Sequence, residues 1–299
     1  SYKFKSIYIG GGTPNCLNNN CLLKLLSLLK KYTSKQTEFT IECNPEFVNE
    51  EQVKIFKQND INRISLGIQT TNEKILKKYN REMNIEICEQ AIKCLQNNRI
   101  SNISCDFIYG FKELKKNDID ENIKFLKRNK IPHTSFYSLE VKEGSKIFKE
   151  QYKLNEKKIE NELEYIKKAL EKEGYERYEV SSWCIDKKFY SSHNIGYWKM
   201  EEWIAIGLSG SGFENNTLYE NVGNINTWKK KKNVLSLKKY YFYILMMGLR
   251  MKEGLDLRFK KNRLAYNFFS SKLKNVMILN DHLFCNNIDI LNQTLIDCL

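Results

Sequence analysis

The strongest constraint on the fold is an alternation of short apolar runs with amphipathic stretches. Five runs have the length and the β-branched and aromatic content of buried strands: residues 6–12, 39–45, 63–69, 103–110 and 133–140. The stretches between and after them have helical spacing: residues 17–31, 51–58, 85–96, 119–128 and 156–174. Strands alternating with helices predict a parallel sheet covered on both faces. A doubly wound sheet and a barrel-like sheet both fit this pattern.

Every predicted strand ends in polar or glycine residues. These ends are Gly10 to Thr13, Glu42 with Asn44, Gly67 with Gln69, Asp106 with Gly110, and Ser138 with Glu140. In parallel α/β folds the carboxyl ends of the strands share one rim, where the site is assembled from successive strands. The pattern therefore predicts a binding site at that rim, although a polar strand end can also serve only to cap the next helix.

The first strand ends abruptly in three glycines followed by Thr13 and Pro14. Glycine has no Cβ, so this backbone can turn sharply and let a ligand approach its N–H and C=O groups. Pro14 fixes φ and suits the start of a helix. The segment predicts a strand, a ligand loop and a helix; a glycine turn without a ligand is the alternative.

Composition narrows the class of protein. A chain of 299 residues with 41% hydrophobic content can bury one large core, or one core plus a small domain. No apolar run approaches the length of a membrane span, and no signal peptide is recognisable, so we expect a cytoplasmic protein. The nine scattered cysteines are expected to be reduced. The net charge of +13 is spread over nearly every predicted helix, which favours solvated lysines over nucleic-acid binding.

The motifs at the strand ends resemble those of the oxygen-independent coproporphyrinogen III oxidase-like branch of the radical SAM proteins. The matching segments are GGGTP at 10–14, E-x-N-P at 42–45, R-x-S-x-G-x-Q at 63–69, NR at 80–81, D-x-I-Y-G at 106–110 and YSLE at 137–140. Further matches are YEVS at 178–181, HNxxYW at 193–198, and GLR at 248–250 with Gly254. The HNxxYW element is similar to that of the haem chaperone subgroup, HemW.

The resemblance implies an α/β fold, an incomplete parallel (β/α)6 radical SAM partial barrel plus a small, mainly helical C-terminal domain. We expect the barrel core over residues 1–232 and the small domain, helical or winged, over 233–299. The implied cofactors are S-adenosyl-L-methionine (SAM) and a [4Fe–4S] cluster, and the implied function is haem binding and delivery to a haem-accepting protein. Coproporphyrinogen III oxidase activity on a porphyrinogen is the alternative within the family.

The resemblance also implies two groups of site residues. The cofactor-binding group is Gly11, Gly12, Thr13, Glu42, Gln69, Arg81 and Asp106. Glu42 would accept hydrogen bonds from ribose hydroxyls or a cationic group, and an ion pair between Arg81 and Asp106 is the structural alternative. The haem group is His193, Asn194, Tyr197 and Trp198, with His193 as a possible iron ligand. A packed, hydrogen-bonded core histidine is the alternative there.

One departure from the family pattern is the absence of CxxxCxxC among the nine cysteines. In the family this motif holds the cluster and lies on a loop before the GGGTP strand. The five predicted β/α units, where the family has six, fit the loss of the first unit. The chain is then either an N-terminally incomplete fragment or a degenerate copy, and a degenerate, non-redox binding module is the rival function. RNA binding is the weakest alternative, because aromatic and basic residues are not interleaved.

Overall fold

The computed structural model describes residues 2–81 and 83–299, and it divides into two compact units. Unit 1 comprises Ser1–Arg177 and Ser181–Ser191, and unit 2 comprises Tyr178–Val180 and Ser192–Leu299. This division falls earlier in the chain than the expected domain boundary at 232/233, which stays a prediction.

Unit 1 is built on a seven-stranded sheet. Its strands are β1 (Ser6–Ile9), β2 (Glu38–Cys43), β3 (Arg63–Gln69), β4 (Ile103–Tyr109), β5 (His133–Ser138), β6 (Glu176–Arg177) and β7 (Ser182–Cys184). The sheet order is β1-β2-β3-β4-β5-β7-β6, and β1 to β5 are parallel. The five predicted strands are therefore confirmed in type, order and direction. The short strands β7 and β6 extend the sheet antiparallel and were not predicted.

Seven α-helices accompany this sheet among the described residues of unit 1. They are α1 (Asn19–Lys30), α2 (Glu50–Gln58), α3 (Glu73–Lys78), α4 (Ile85–Asn97), α5 (Lys116–Arg128), α6 (Lys146–Lys149) and α7 (Glu156–Lys172). Five of them begin after an asparagine whose side chain accepts a hydrogen bond from a backbone N–H of the first turn: Asn18, Asn49, Asn72, Asn84 and Asn155. This capping satisfies donors that have no partner inside the helix, so the local sequence determines where these five helices start.

The core of unit 1 consists of the apolar side chains that the strands bury against the helices. Phe107 on β4 and Phe136 on β5 stack with ring centroids 5.0 Å apart, and Trp183 on β7 meets Phe136 edge-on. Leu26 of α1 and Ile92 of α4 are fully buried in the same cluster. Because these residues anchor the middle of the sheet, the strand ends are held in fixed relative positions.

Unit 2 combines four helices with two small antiparallel sheets. The helices are α8 (Ser192–Trp198), α9 (Leu237–Gly248), α10 (Lys260–Phe269) and α11 (Leu291–Leu295). One sheet contains β8 (Ser211–Glu214), β9 (Thr217–Val222) and β10 (Lys229–Val234), and the other β11 (Leu255–Asp256), β12 (Val276–Leu279) and β13 (His282–Cys285). The core includes Leu245, Phe269 and Leu283. A small helical or winged domain was predicted from residue 233 onward, and none of the six strands was predicted individually.

None of the helices in the described part of the chain has both the length and the hydropathy needed to cross a membrane.

Candidate functional site

The carboxyl ends of the five parallel strands surround a cavity of about 460 Å³ in unit 1. Its lining includes Gly12 and Thr13 after β1, Glu42 of β2, Ser65, Gly67 and Gln69 of β3, Arg81, Asp106 of β4 and Tyr137 of β5. The structure thus brings six of the seven predicted cofactor-binding residues into one cavity wall. Gly11, the seventh, lies beside it through a hydrogen bond to Glu42.

Glu42 is held in place by two donors from the first strand and its loop. The Tyr8 hydroxyl donates to Glu42 Oε1 at 2.7 Å, and the Gly11 N–H donates to Oε2 at 3.0 Å. Burial and the neighbouring Glu42 raise the pKa of Tyr8, which keeps its phenol protonated as a donor. Gly10 packs so tightly that a Cβ would lie 2.7 Å from the Tyr8 ring and 2.9 Å from the Glu42 carboxyl carbon.

The glycine loop turns sharply through left-handed backbone. Gly11 and Gly12 have φ values of +84° and +65°, which favour glycine over any residue with a Cβ. A Cβ built on Gly12 meets no atom within 4 Å. The loop therefore presents bare backbone to open space in the cavity wall.

Gln69 is aimed by a bulge at the end of β3. The register between β3 and β4 shifts between Gly67 and Gln69, and Gln69 has a φ of +68°. A left-handed glutamine is uncommon, and such bulges often redirect a side chain next to a site. Gly67 makes room for it, because a Cβ there would lie 2.8 Å from the Gln69 amide nitrogen.

Asp106 lies in the cavity wall and accepts two hydrogen bonds from serines. Ser65 Oγ donates at 2.5 Å and Ser104 Oγ at 3.0 Å. Ser104 also contacts the buried His133 ring at 2.9 Å. Burial raises the pKa of Asp106, while the two serine bonds oppose that shift. The structural alternative for this residue is not seen, since no ion pair joins Asp106 to Arg81 among the residues the structure describes.

Sequence reasoning missed the residues that position the two carboxylates. Tyr8 fixes Glu42, while Ser65 and Ser104 fix Asp106. Both kinds of residue had a signal in the sequence. Alternation along β1 puts Tyr8 on the same face as Gly10, and Ser65 is the serine of the R-x-S-x-G-x-Q segment.

The predicted haem motif forms the short helix α8 of unit 2. His193 and Tyr197 are four residues apart and therefore share a helix face, and their rings meet edge-on with centroids 4.6 Å apart. Burial lowers the pKa of His193 to about 4. At neutral pH the imidazole is thus uncharged, the form that ligates iron.

The second face of α8 carries Trp198, whose ring lies 5.2 Å from the guanidinium carbon of Arg250. Asn194, four residues before Trp198, belongs to the same face by helical spacing. The structure therefore divides the four predicted haem residues into two adjacent pairs on one helix.

A [4Fe–4S] cluster does not fit the residues that the structure describes. Within residues 2–81 and 83–299, no three His, Cys, Asp or Glu side chains are grouped so that they could hold a metal ion. The cysteines in this range are free, and those at 43, 105 and 184 are buried.

A model of the Radical SAM superfamily matches residues 1–126 of this chain. The overall fold is similar to that of coproporphyrinogen III oxidase (HemN) from Escherichia coli, with a TM-score of 0.79 at 15% identity, covering 99% of this chain and 77% of that one. The parallel sheet with its rim cavity is thus the fold of a radical SAM protein.

Two curated relatives define the family more closely. The "Heme chaperone HemW" of Lactococcus lactis is 33% identical over 285 residues, which cover 89% of this chain and 74% of the relative. The protein of the same name from Buchnera aphidicola subsp. Schizaphis graminum is 28% identical, covering 91% of this chain and 76% of the relative. The chain belongs to the HemW family.

Proposed function

We propose that this chain binds haem and passes it to an acceptor protein, acting as a haem chaperone in the cytoplasm. The observation that carries the proposal is helix α8, which presents the motif His193–Trp198 with a neutral imidazole. The name shared by the relatives favours this function over coproporphyrinogen III oxidase activity, the alternative within the family.

In this proposal His193 supplies the iron ligand and the aromatic rings supply apolar contact. The Tyr197 ring lies against the His193 ring and also meets Trp203 edge-on, at 4.8 Å between centroids. These contacts fix the imidazole orientation, so little side-chain freedom is lost when iron binds. Trp198, one residue further along, offers a second flat surface for a porphyrin.

A haem titration followed by Soret absorbance tests the proposal. We expect His193→Ala to shift the Soret band and weaken haem binding by at least tenfold, because the axial ligand is lost. His282→Ala is the matched control, since His282 is another unit 2 histidine, with its Nδ1 2.9 Å from the Asn280 carbonyl oxygen. It should leave the Soret spectrum and the affinity unchanged.

Melting temperatures of both variants identify the folded fraction, so that loss of binding is not confused with unfolding. If folded His193→Ala binds haem with an unaltered spectrum and affinity, the ligand role is wrong and the histidine is structural. If the unaltered chain binds no haem, the chaperone proposal itself fails. The rival hypothesis of a degenerate, non-redox binding module is then favoured.

We further propose that the rim cavity binds SAM. Its support is the fit of the wall: bare Gly12 backbone facing open space, and a Glu42 carboxylate fixed by Tyr8 and Gly11. Gly11, Gly12 and Thr13 would contact the methionyl end, Glu42 would accept hydrogen bonds from the bound molecule, and Gln69, Arg81 and Asp106 would complete the pocket. SAM, when bound, would supply a sulfonium group for radical chemistry, and the described residues provide no set of ligands for a cluster.

Calorimetric titration with SAM tests this second site. Glu42→Gln should weaken SAM binding about tenfold or more through loss of a charge-assisted acceptor. Glu121→Gln, an exposed change on α5, is the matched control. Equal SAM affinity in Glu42→Gln and in the unaltered chain would contradict the role given to Glu42.

A further inference from the structure

A third group of residues in unit 2 is brought together from three distant segments. Glu179 forms an antiparallel bridge with Met251, and the Lys252 N–H donates to the Tyr178 carbonyl at 2.9 Å. This pairing sets the segment Tyr178–Val180 beside the turn that follows α9. Arg250 lies in that turn, and its guanidinium carbon is 5.2 Å from the centroid of the Trp198 ring on α8.

The Arg250 guanidinium is partly removed from water. Burial lowers the pKa of Arg250, and the carboxylate of Glu179 acts in the opposite direction. Glu179 itself is buried, with 1% of its surface exposed. A buried carboxylate and a stacked aromatic ring therefore keep a charged arginine beside the haem motif.

Two donors at this place lack an acceptor among the residues that the structure describes. The indole Nε1 of Trp198 and the Nε of Arg250 are both buried, and no residue in the described ranges accepts a hydrogen bond from either. Neither side chain contains an acceptor, so they cannot satisfy one another. Buried donors without acceptors destabilise a folded protein, and they often mark a place where a bound group completes the site.

A carboxylate from a ligand would supply acceptors to these two donors. A carboxylate accepts only, and its two oxygens match the parallel N–H groups of a guanidinium. Haem carries such groups as propionates at the edge of an otherwise apolar ring. His193 and Trp198 are five residues apart, about 7.5 Å along the helix axis and about 140° around it. The haem propionates extend from the ring on two-carbon chains, and these chains have to span that separation.

We propose that Arg250, positioned by Glu179 and Trp198, binds a propionate carboxylate of haem whose iron lies at His193. The inference rests on the haem-binding function proposed above and adds to it the residue that recognises the acidic edge of the ring. A role for Arg250 that is only structural, as the counter-charge of Glu179, is the competing explanation.

The test compares haem with haem dimethyl ester, in which the propionates are neutral and cannot form an ion pair with an arginine. We expect the unaltered chain to bind haem on the order of ten- to a hundredfold more tightly than the ester. Arg250→Gln should weaken haem binding by a similar factor and leave ester binding unchanged. Arg250→Lys keeps the charge but loses the planar guanidinium, so its affinity for haem should lie between those of the unaltered chain and of Arg250→Gln.

Arg263→Gln is the matched control, because Arg263 is an exposed arginine of the same unit and its removal changes the net charge equally. It should bind both ligands like the unaltered chain. If Arg250→Gln fails to fold, Arg250→Lys carries the test instead, because it keeps the charge beside Glu179: its preference for haem over the ester should be smaller than that of the unaltered chain, and an equal preference would contradict the role of Arg250.

The outcomes separate the two proposals. If haem and its ester bind the unaltered chain equally, or Arg250→Gln weakens both equally, the carboxylate role is wrong while haem binding stands. If the unaltered chain binds neither ligand, the haem proposal fails and this inference fails with it.

Discussion

The rim cavity of unit 1 and the α8 region of unit 2 differ in whether their buried polar groups have hydrogen-bond partners. In the rim, Glu42 already has Tyr8 and Gly11 as donors, and Asp106 has Ser65 and Ser104. Around α8, the indole of Trp198 and the Nε of Arg250 remain buried without an acceptor among the described residues.

This difference indicates two designs for binding. The rim is arranged before any ligand arrives, so binding there loses little freedom but displaces existing interactions. The α8 region keeps unsatisfied donors, so a ligand with acceptors would stabilise the protein as it binds. A carrier that accepts and releases its cargo suits the second design, and a pocket that orients a cofactor suits the first.

The largest expected effect tests whether the rim is arranged in advance. Gly10→Ala places a Cβ 2.7 Å from the Tyr8 ring and 2.9 Å from the Glu42 carboxyl carbon. Relief of that clash moves Glu42 away from Tyr8 and Gly11, so we expect about 3 kcal/mol lower stability from overpacking and lost charge-assisted bonds. Urea denaturation measures the loss. Unchanged stability would show that Glu42 is not held rigidly.

The next effect concerns the pH dependence of unit 2. The folded-state pKa of His193 is about 4, below its ordinary value of 6.5. The stability that accompanies the neutral imidazole is therefore present above pH 6.5 and lost as the pH falls toward 4. At roughly 1.4 kcal/mol per pH unit, partly reduced by solvent at the ring edge, we expect a loss of about 2 kcal/mol.

The measurement is urea denaturation across that pH range for the unaltered chain and for His193→Gln. Other groups also titrate there, so the informative quantity is the difference between the two proteins. That difference should shrink as the solution is acidified. A constant difference would mean that His193 titrates normally and is more open to water than the structure indicates.

Most of unit 1 could be predicted because its signals are local. Apolar runs of strand length mark β1 to β5, and an asparagine cap marks the start of five helices. The strands β6 and β7 span only two and three residues, too short for a periodic pattern. The strand β10 contains four consecutive lysines and is exposed along its length, so its sequence resembles a solvated loop.

The candidate sites were predictable only in part. The resemblance gave the rim residues and the α8 motif, because each lies in a short contiguous segment. The contact between Trp198 and Arg250 joins residues far apart in the chain, and no local pattern encodes it. The left-handed backbone of Gln69 is likewise set by the register shift between two strands rather than by glutamine itself.

A smaller effect should come from the charge of the buried Asp106 carboxylate in the rim. Burial raises the pKa of Asp106 above 3.8, so its ionisation opposes folding increasingly as the pH rises through the folded-state pKa. Asp106→Asn keeps the shape, and the serine hydroxyls can rotate to serve the amide. We expect the variant to be about 1 kcal/mol more stable at neutral pH, by urea denaturation, with the gain vanishing in acid. A loss of stability at neutral pH would contradict the assigned cause of the shift.

The smallest effect returns to the comparison through a second glycine. Gly196 lies inside α8, its backbone φ is not left-handed, and a Cβ there would meet only Glu201 Oε2 at 4.0 Å. Gly196→Ala should therefore stabilise the protein by about 0.5–1 kcal/mol, because glycine is less favourable than alanine within a helix. The same substitution that damages the rim at Gly10 should thus be tolerated at α8. Urea denaturation with a haem titration checks both parts: a loss of stability would mean that α8 is packed as tightly as the rim, whereas weaker haem binding at raised stability would place the porphyrin directly over Gly196.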